Sequence, residues 1–255
     1  MVNIFMNGCC GRMGRAICAM TRNNPDFRVV AGCDIITECE GYDFPIFANP
    51  NDCDVDFDVI IDFSNAAAVP VITQFALARK KPFVCCTTAI SEEAVADILK
   101  ASEEIPVFKS ANMSYGMNVM IELVRKAAKA LHEDCDIEIV EAHHNRKLDA
   151  PSGTAIMIAD AISEEVPYET EYVFERHSRR QARDKKEIGI SAVRGGNIVG
   201  EHDVMFIGDE EIVKISHSAQ TRDAFARGAL TAAGFLKDKA PGYYAMSDII
   251  AEAFK

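Results

Sequence analysis

The chain has 255 residues, 49% of them hydrophobic and 26% charged, with 15 glycines and 9 prolines. These proportions exclude a collagen-like, disordered or coiled-coil chain and leave one large or two modest globular domains. At this length more than half of the unfolded surface can be buried without covalent staples. Asp and Glu outnumber Lys and Arg by 39 to 27, a net charge of −12, which argues against a nucleic-acid or anionic-membrane surface. An anionic ligand would therefore need positive charge gathered locally. No basic flank with a long apolar run and cleavage site opens the sequence, and no stretch reaches the roughly 18–20 apolar residues of a membrane span. A cytoplasmic protein is expected. The nine cysteines are odd in number and contain no C-x-x-C spacing. Cys9–Cys10 and Cys85–Cys86 are adjacent pairs in strand-like surroundings, where neighbouring side chains point to opposite faces and chelate poorly. They are expected to be free thiols serving as small apolar fillers, with no metal site.

Taken in chain order, 2–6 is an apolar strand, 8–14 a glycine-rich turn, 15–22 a helix and 27–34 a second strand. The run DVIIDF at 58–63 has the composition of a strand buried on both faces. A helix over 66–79 tolerates Pro70 only near its first turn. A strand at 82–86 precedes a helix capped by Ser91, whose first turn carries Glu92 and Glu93 beside the positive end of the dipole. A strand at 105–109 completes an alternation that predicts a doubly wound parallel sheet. From about Ser114 the pattern changes. A helix over 118–131 is followed by a strand at 136–142, a helix at 154–165, and strands at 172–175, 188–193, 204–207 and 212–217. Short links between these strands predict an antiparallel or mixed sheet. A helix at 224–237 follows, and Ser247 is placed to cap a last one.

Gly8-Cys9-Cys10-Gly11-Arg12-Met13-Gly14 lies between a strand and a helix. A diphosphate needs close backbone approach, free N–H groups and a helix N-terminus, all of which glycines permit here. The usual middle glycine of G-x-G-x-x-G is replaced by Cys10. Asp34 ends the second strand 20 residues past Gly14, where an acid meets ribose hydroxyls. Ile35 and Ile36 follow it, and neither offers the positive charge a 2′-phosphate prefers. NADH is favoured over NADPH, with Arg12 the nearby cation that could reverse the choice.

The segment 141–154, EAHHNRKLDAPSGT, leaves a strand and enters a helix. His143, His144, Arg146 and Lys147 place four potential cations within five residues of a very acidic chain. Pro151-Ser152-Gly153-Thr154 then opens a helix whose N–H groups suit a carboxylate. The physical content is an anion site with titratable donors in reach. His132 reads as a helix-end residue and His177 as solvated, while His202 and His217 read as satisfied core histidines.

GxxGRMG near the start, with IDFS at 61–64, CTT at 86–88, SANMSYGMNV at 110–119, EAHHxxKxDAPSGTA from 141, VRGGNIVGEH at 193–202 and HSAQTRDAFARGAL at 217–230, resembles the 4-hydroxy-tetrahydrodipicolinate (dihydrodipicolinate) reductase family along the whole chain. The resemblance implies an N-terminal Rossmann-like domain, 1–113 completed by 223–255, and a C-terminal α+β domain, 114–222, for substrate binding and oligomerisation. It implies hydride transfer from NADH or NADPH to a small cyclic dicarboxylate, giving tetrahydrodipicolinate in the diaminopimelate route to lysine, by a cytoplasmic homotetramer. Carried over residue by residue, Gly8, Cys9, Cys10, Gly11, Arg12 and Met13 would hold the diphosphate and Asp34 the ribose. Cys86, Thr87 and Thr88, with Ser110, Ala111, Asn112 and Met113, would line the nicotinamide side. His143 would donate the proton with Lys147 as a second donor, and His144, Gly153 and Thr154 would hold the carboxylates. Cys10, Cys86 and Ala89 stand where the family usually has glycine or another small residue, a cost wherever φ is positive. The competing readings are another nicotinamide-dependent reductase of a small imino or keto acid, and a non-catalytic dinucleotide-sensing module.

Overall fold

The computed structural model describes residues 1–254. Lys255, the last residue of the expected 223–255 segment, lies outside the described residues. The chain begins with β1 (Val2–Asn7), α1 (Arg12–Thr21), β2 (Phe27–Cys33), β3 (Ile46–Phe47), β4 (Val59–Asp62), α2 (Val69–Arg79), β5 (Phe83–Cys85), α3 (Glu92–Ala101) and β6 (Pro106–Lys109). It continues with α4 (Tyr115–Leu131), β7 (Asp136–His143), α5 (Gly153–Ser163), β8 (Glu171–Val173), β9 (Glu187–Arg194), β10 (Glu201–Ile207) and β11 (Ile212–Ser218). It closes with α6 (Asp223–Leu236), β12 (Gly242–Tyr244) and α7 (Met246–Ala253). Two units result: Met1–Tyr115 with the chain from Asp223 onward, and Gly116–Arg222.

The first unit holds a seven-stranded sheet in the order β12-β6-β5-β4-β1-β2-β3, with every neighbouring pair parallel. After β1 the chain fills one side of the sheet, and after β3 it crosses to the other. The switch point is therefore between β1 and β4, where a doubly wound sheet opens a crevice beyond its strand ends. Val59, Ile60, Ile61 and Asp62 are all buried, as a strand covered on both faces requires. One core packs Phe5, Phe57 and Phe75 with ring centroids 5.1–5.8 Å apart.

Helix ends follow local chemistry more closely than the periodicity suggested. Helix α1 begins at Arg12 rather than at 15, because the turn needs only Gly8 to Gly11 and Gly14 is already helical. Asn65 accepts hydrogen bonds from the Ala67 and Ala68 N–H groups, making a short 3-10 turn that delivers Pro70 to the first turn of α2. Ser91 caps α3 as expected, its Oγ accepting from the Ala94 N–H at 3.2 Å. Ser247 is not a cap: α7 starts one residue earlier, and the Asp248 carboxylate accepts the Ala245 N–H at 2.7 Å. Strands β3 and β12, two and three residues long, are too short to carry a periodic signal and were not expected.

The second unit holds a mixed five-stranded sheet, β11-β10-β7-β9-β8. Strands β11, β10 and β7 pair antiparallel, while β7, β9 and β8 pair parallel. Ile137 and Ile139 of β7, Ile188 and Ile190 of β9, and Val204 and Phe206 of β10 pack with Met117, Met120 and Val124 of α4 and Ile158 of α5. Among the described residues no helix is long and apolar enough to cross a membrane.

The expectation that all nine cysteines are free is corrected. Cys10 and Cys39 form a disulfide, with Cα atoms 6.4 Å apart, and the other seven are free and buried. The chain after β2 folds back over the glycine loop, where the Tyr42 hydroxyl donates to the Cys9 carbonyl at 2.8 Å. That return path brings Cys39 to Cys10, and spacing alone cannot reveal it.

Candidate active site

The glycine loop lies at the switch point. Gly8 has φ +77°, and a Cβ there would stand 2.5 Å from the Phe63 carbonyl oxygen. A Cβ on Gly14 would stand 2.2 Å from the Gly8 carbonyl oxygen. Both positions therefore require glycine. No side chain caps the first turn of α1, so its N–H groups remain available to an anion. Gly8, Cys10, Gly11, Asp34, Ile35, Ile36, Ser64 and Asn65 are among the residues lining a cavity of about 410 Å³. Asp34 is closer to the loop than the spacing indicated. One carboxylate oxygen accepts the Cys10 N–H at 2.9 Å and the other accepts the Ile36 N–H at 3.2 Å. Cys9 is fully buried, and Arg12 is exposed with Met13 half-buried beside it. Arg15 is a second cation at the loop, its Nε donating to the Cys10 carbonyl at 2.9 Å. Cys9 and Cys10 with Asp34 bring three potential metal-binding atoms within 4.8 Å of one another. The Cys10 sulfur is committed to Cys39 and the Asp34 carboxylate to backbone N–H groups.

Cys86, Thr87 and Thr88 follow β5, and Ser110, Ala111, Asn112 and Met113 follow β6, so both groups leave the C-terminal edge of the parallel sheet. The Cys86 and Thr87 side chains are buried, which leaves backbone and Thr88 to face outward. Thr87 instead donates to Asp62 at 2.7 Å. Asp62, unassigned in the sequence analysis, also accepts from Asn7 Nδ2 at 2.7 Å and Ser64 Oγ at 2.6 Å. It thus ties the ends of β1, β4 and β5 together. Burial raises its carboxyl pKa against the opposing hydrogen bonds from Ser64, Thr87 and Asn7. Of the three departures from family pattern, Cys10 and Cys86 do not adopt positive φ, whereas Ala89 does, at 55°.

The basic segment is organised by strand register. His143 ends β7 rather than lying in a loop, and its side chain is only 12% exposed. Side chains two apart share a face of a strand. Glu141 therefore points the same way as His143, in phase with buried Ile137 and Ile139. His202 lies opposite Glu141 on β10, His217 opposite His202 on β11, and Arg194 opposite His143 on β9. Glu141 is fully buried. One oxygen meets His143 Nδ1 at 2.7 Å and an Arg194 N–H at 2.8 Å; the other accepts a second Arg194 N–H at 2.7 Å and the Ser152 N–H at 2.9 Å. Burial alone would raise the Glu141 pKa, but the hydrogen bonds from Arg194, His143 and Ser152 outweigh it and hold the carboxyl low.

Ser152 also caps α5, its Oγ accepting the Ala155 N–H at 3.1 Å while touching His202 Nε2 at 3.1 Å. The His143 and His202 rings meet edge to face at 5.3 Å. The expectation that His202 and His217 are satisfied core residues is corrected. Nδ1 of each is buried without a partner among the described residues, as is Nδ1 of His144. Burial, with His143 as a lesser cause, pushes the His202 pKa down to about 4. His144 is lowered by burial first and then by Arg146, Arg222 and His143. Lys147 pairs with Asp149 at 2.8 Å, which holds the Asp149 carboxyl low. Gly153 begins α5 on its exposed side, with open space around its Cα, and half-buried Thr154 follows it.

A family model described as dihydrodipicolinate reductase, N-terminus, matches residues 2–113, and one described as dihydrodipicolinate reductase, C-terminus, matches 116–250. The chain belongs to the dihydrodipicolinate reductase family. A protein of Caldanaerobacter subterraneus named 4-hydroxy-tetrahydrodipicolinate reductase is 50% identical over 250 residues, 98% of each chain. Its namesake in Clostridium perfringens is 43% identical over 252 residues, again 98% of each. A dipicolinate-bound dihydrodipicolinate reductase from Paenisporosarcina sp. TG-14 shares the fold at a TM-score of 0.81 and 24% identity, covering 96% of this chain and 97% of that one. A myo-inositol dehydrogenase from Corynebacterium glutamicum shares it at 0.61 and 17%, covering 95% and 90%. As a dihydrodipicolinate reductase family member, the chain is a nicotinamide-dependent reductase, and the sensing-module reading falls away.

The buried neutral His202 has a thermodynamic consequence. An unfolded histidine binds its proton near pH 6.5, whereas His202 in the fold binds it near 4. Within that window the unfolded state carries the extra proton, so stability falls as pH falls, by up to about 1.4 kcal/mol per unit. In His202→Gln this part of the dependence is expected to vanish. Urea unfolding of both proteins at several values from pH 7 to 4.5 measures it, and parallel stability profiles would contradict a neutral His202.

Proposed function

We propose that this chain reduces 4-hydroxy-tetrahydrodipicolinate to tetrahydrodipicolinate in the diaminopimelate route to lysine, with His143 as proton donor. The observation that carries the reading is the placement of His143, nearly buried and hydrogen-bonded to Glu141, at the mouth of a segment that concentrates positive charge in an acidic chain. Bound NADH or NADPH supplies the hydride. Addition of hydride to a conjugated ring leaves negative charge on it, and a positioned acid that neutralises this charge lowers the barrier.

Gly8, Cys9, Cys10, Gly11, Arg12 and Met13 hold the diphosphate in this reading. The support is the tight glycine packing, the uncapped start of α1 and the adjoining cavity. Asp34 takes the ribose hydroxyls. Cys86, Thr87, Thr88, Ser110, Ala111, Asn112 and Met113 line the nicotinamide side, the first two through backbone because their side chains are buried. His144, with a buried unpartnered nitrogen, joins Gly153 and Thr154 on the carboxylates. Lys147 adds charge and a second donor beside His143. The cytoplasm is the expected compartment.

His143→Ala and Lys147→Ala are each expected to lower kcat by roughly 10²–10⁴, with NADH affinity near wild type. His144→Ala is expected to act mainly on KM, as a contact equally strong in ground and transition states does. Steady-state kinetics beside NADH titration tests the three, and near-normal kcat in both of the first two variants would remove this segment from the chemistry.

NADH is expected to bind at least as well as NADPH, since Asp34 repels a 2′-phosphate and Ile35, 93% exposed, offers it no charge. Asp34→Ala should weaken NADH more than NADPH. Dissociation constants by fluorescence titration decide it, and a strong NADPH preference would reverse the assignment.

The chain is proposed to be a homotetramer joined through the β8–β11 region, whose exposed Ile212 and Val213 on β11 and Val193 on β9 supply apolar contact area. Light scattering at micromolar concentration should report four copies, and a stable monomer would refute it.

A further inference from the structure

Glu141 is the only acid that touches His143 among the described ion pairs, and it does so from a site with no solvent exposure. An ionised carboxylate can only accept hydrogen bonds. The Arg194 fork and the Ser152 N–H outweigh burial and leave it ionised and acceptor-only. The imidazole atom facing it, Nδ1 at 2.7 Å, must therefore carry a proton in the neutral ring. The exchangeable position is then Nε2, beside which Gly200 presents no side chain: a Cβ there would stand 3.1 Å from Nε2.

We propose that Glu141, locked by Arg194, is the positioning residue of this site: it fixes His143 as the Nδ1–H tautomer and so makes Nε2 the nitrogen that delivers the proton. The inference rests on the reading of His143 as proton donor. In the acid form the ring is an imidazolium with a proton on each nitrogen. Transfer of the Nε2 proton to the reduced ring leaves the neutral Nδ1–H form, the one Glu141 holds, so the ring keeps its orientation and only Nε2 has to take a proton back from solvent before the next turnover. Glu141 thereby stabilises both the charged acid and its product. Arg194 extends the device, since its guanidinium also donates to the Asp149 carbonyl at 2.8 Å while the Asp149 side chain pairs with Lys147. One clamp thus orients both residues assigned to proton transfer.

Glu141→Gln tests this because the geometry decides how the amide lies. With its oxygen toward Ser152, it satisfies the Ser152 N–H and one Arg194 N–H, and its NH₂ opposes one other Arg194 N–H. The reverse orientation opposes two donors, Ser152 and Arg194. The first is preferred, and it turns the NH₂ toward His143, forcing Nδ1 to accept and moving the proton to Nε2. The other charged or titratable groups around His143, namely Arg194 on β9, His202 on β10 with His217 beyond it on β11, and His144, Lys147 and Asp149 in the following segment, are unchanged, so the variant isolates the Glu141 charge.

The measurement is a long-range proton–nitrogen spectrum of the histidine-labelled full chain above pH 8, with His143→Ala supplying the assignment. Wild type should show His143 protonated on Nδ1, and a ring protonated on Nε2 overturns the inference without any variant having to fold. In Glu141→Gln the tautomer should switch. The kcat should fall by about 10² or more, with the NADH dissociation constant within twofold of wild type. If His143→Ala abolishes turnover while Glu141→Gln keeps both tautomer and kcat, the positioning role is refuted and the proton-donor reading survives. If His143→Ala itself turns over normally, that reading fails first.

Discussion

A fully buried carboxylate is the constraint around which the second unit is arranged. Left alone, Glu141 would cost several kcal/mol in lost hydration. Its compensation comes from four donors on three separate elements: the end of β7, the end of β9 and the start of α5. Satisfying it therefore dictates where each of those elements stops. Removing one member of such a buried set typically costs about 3–5 kcal/mol.

The same elements carry the residues proposed for proton transfer, within an otherwise apolar layer. Ser152 shows the economy of the arrangement. Its N–H serves Glu141 and its Oγ caps α5, and the same Oγ meets His202. His202 is in turn held neutral and edge-on against His143. A neutral neighbour adds bulk and order without competing for the carboxylate. Asp62 plays a comparable part in the first unit, joining the ends of β1, β4 and β5 next to the glycine loop. In both units a buried acid sits at the sheet edge from which the proposed binding segments leave.

Much of this was legible in local patterns. The alternation of short apolar runs with helical periods revealed the parallel sheet, and the strand-dense second half indicated an antiparallel or mixed one, because side-chain period is a local property of the chain. Glycines spaced to let backbone approach backbone marked the loop after β1, and an unusual density of His, Arg and Lys marked 143–147. Glu141 had a signal too: it lies in phase with Ile137, Ile139 and His143, and an acid on the buried phase of a strand asks for a partner. Arg194 and His202 had none in side-chain period or local charge, since each reaches the site only through pairing with β7.

The sequence by itself determined most of the strands and helices, which turn needs glycine, and which residue types are gathered in the segment proposed for anion binding and proton transfer. Local sterics and side-chain period suffice for those. Tertiary structure alone decided the register that sets Arg194 and His202 beside Glu141 and His143, and the return path that joins Cys10 to Cys39. The cross-strand pairs and the disulfide join residues 29 to 61 positions apart, where the outcome is set by which buried groups must satisfy one another rather than by any preference of a single segment.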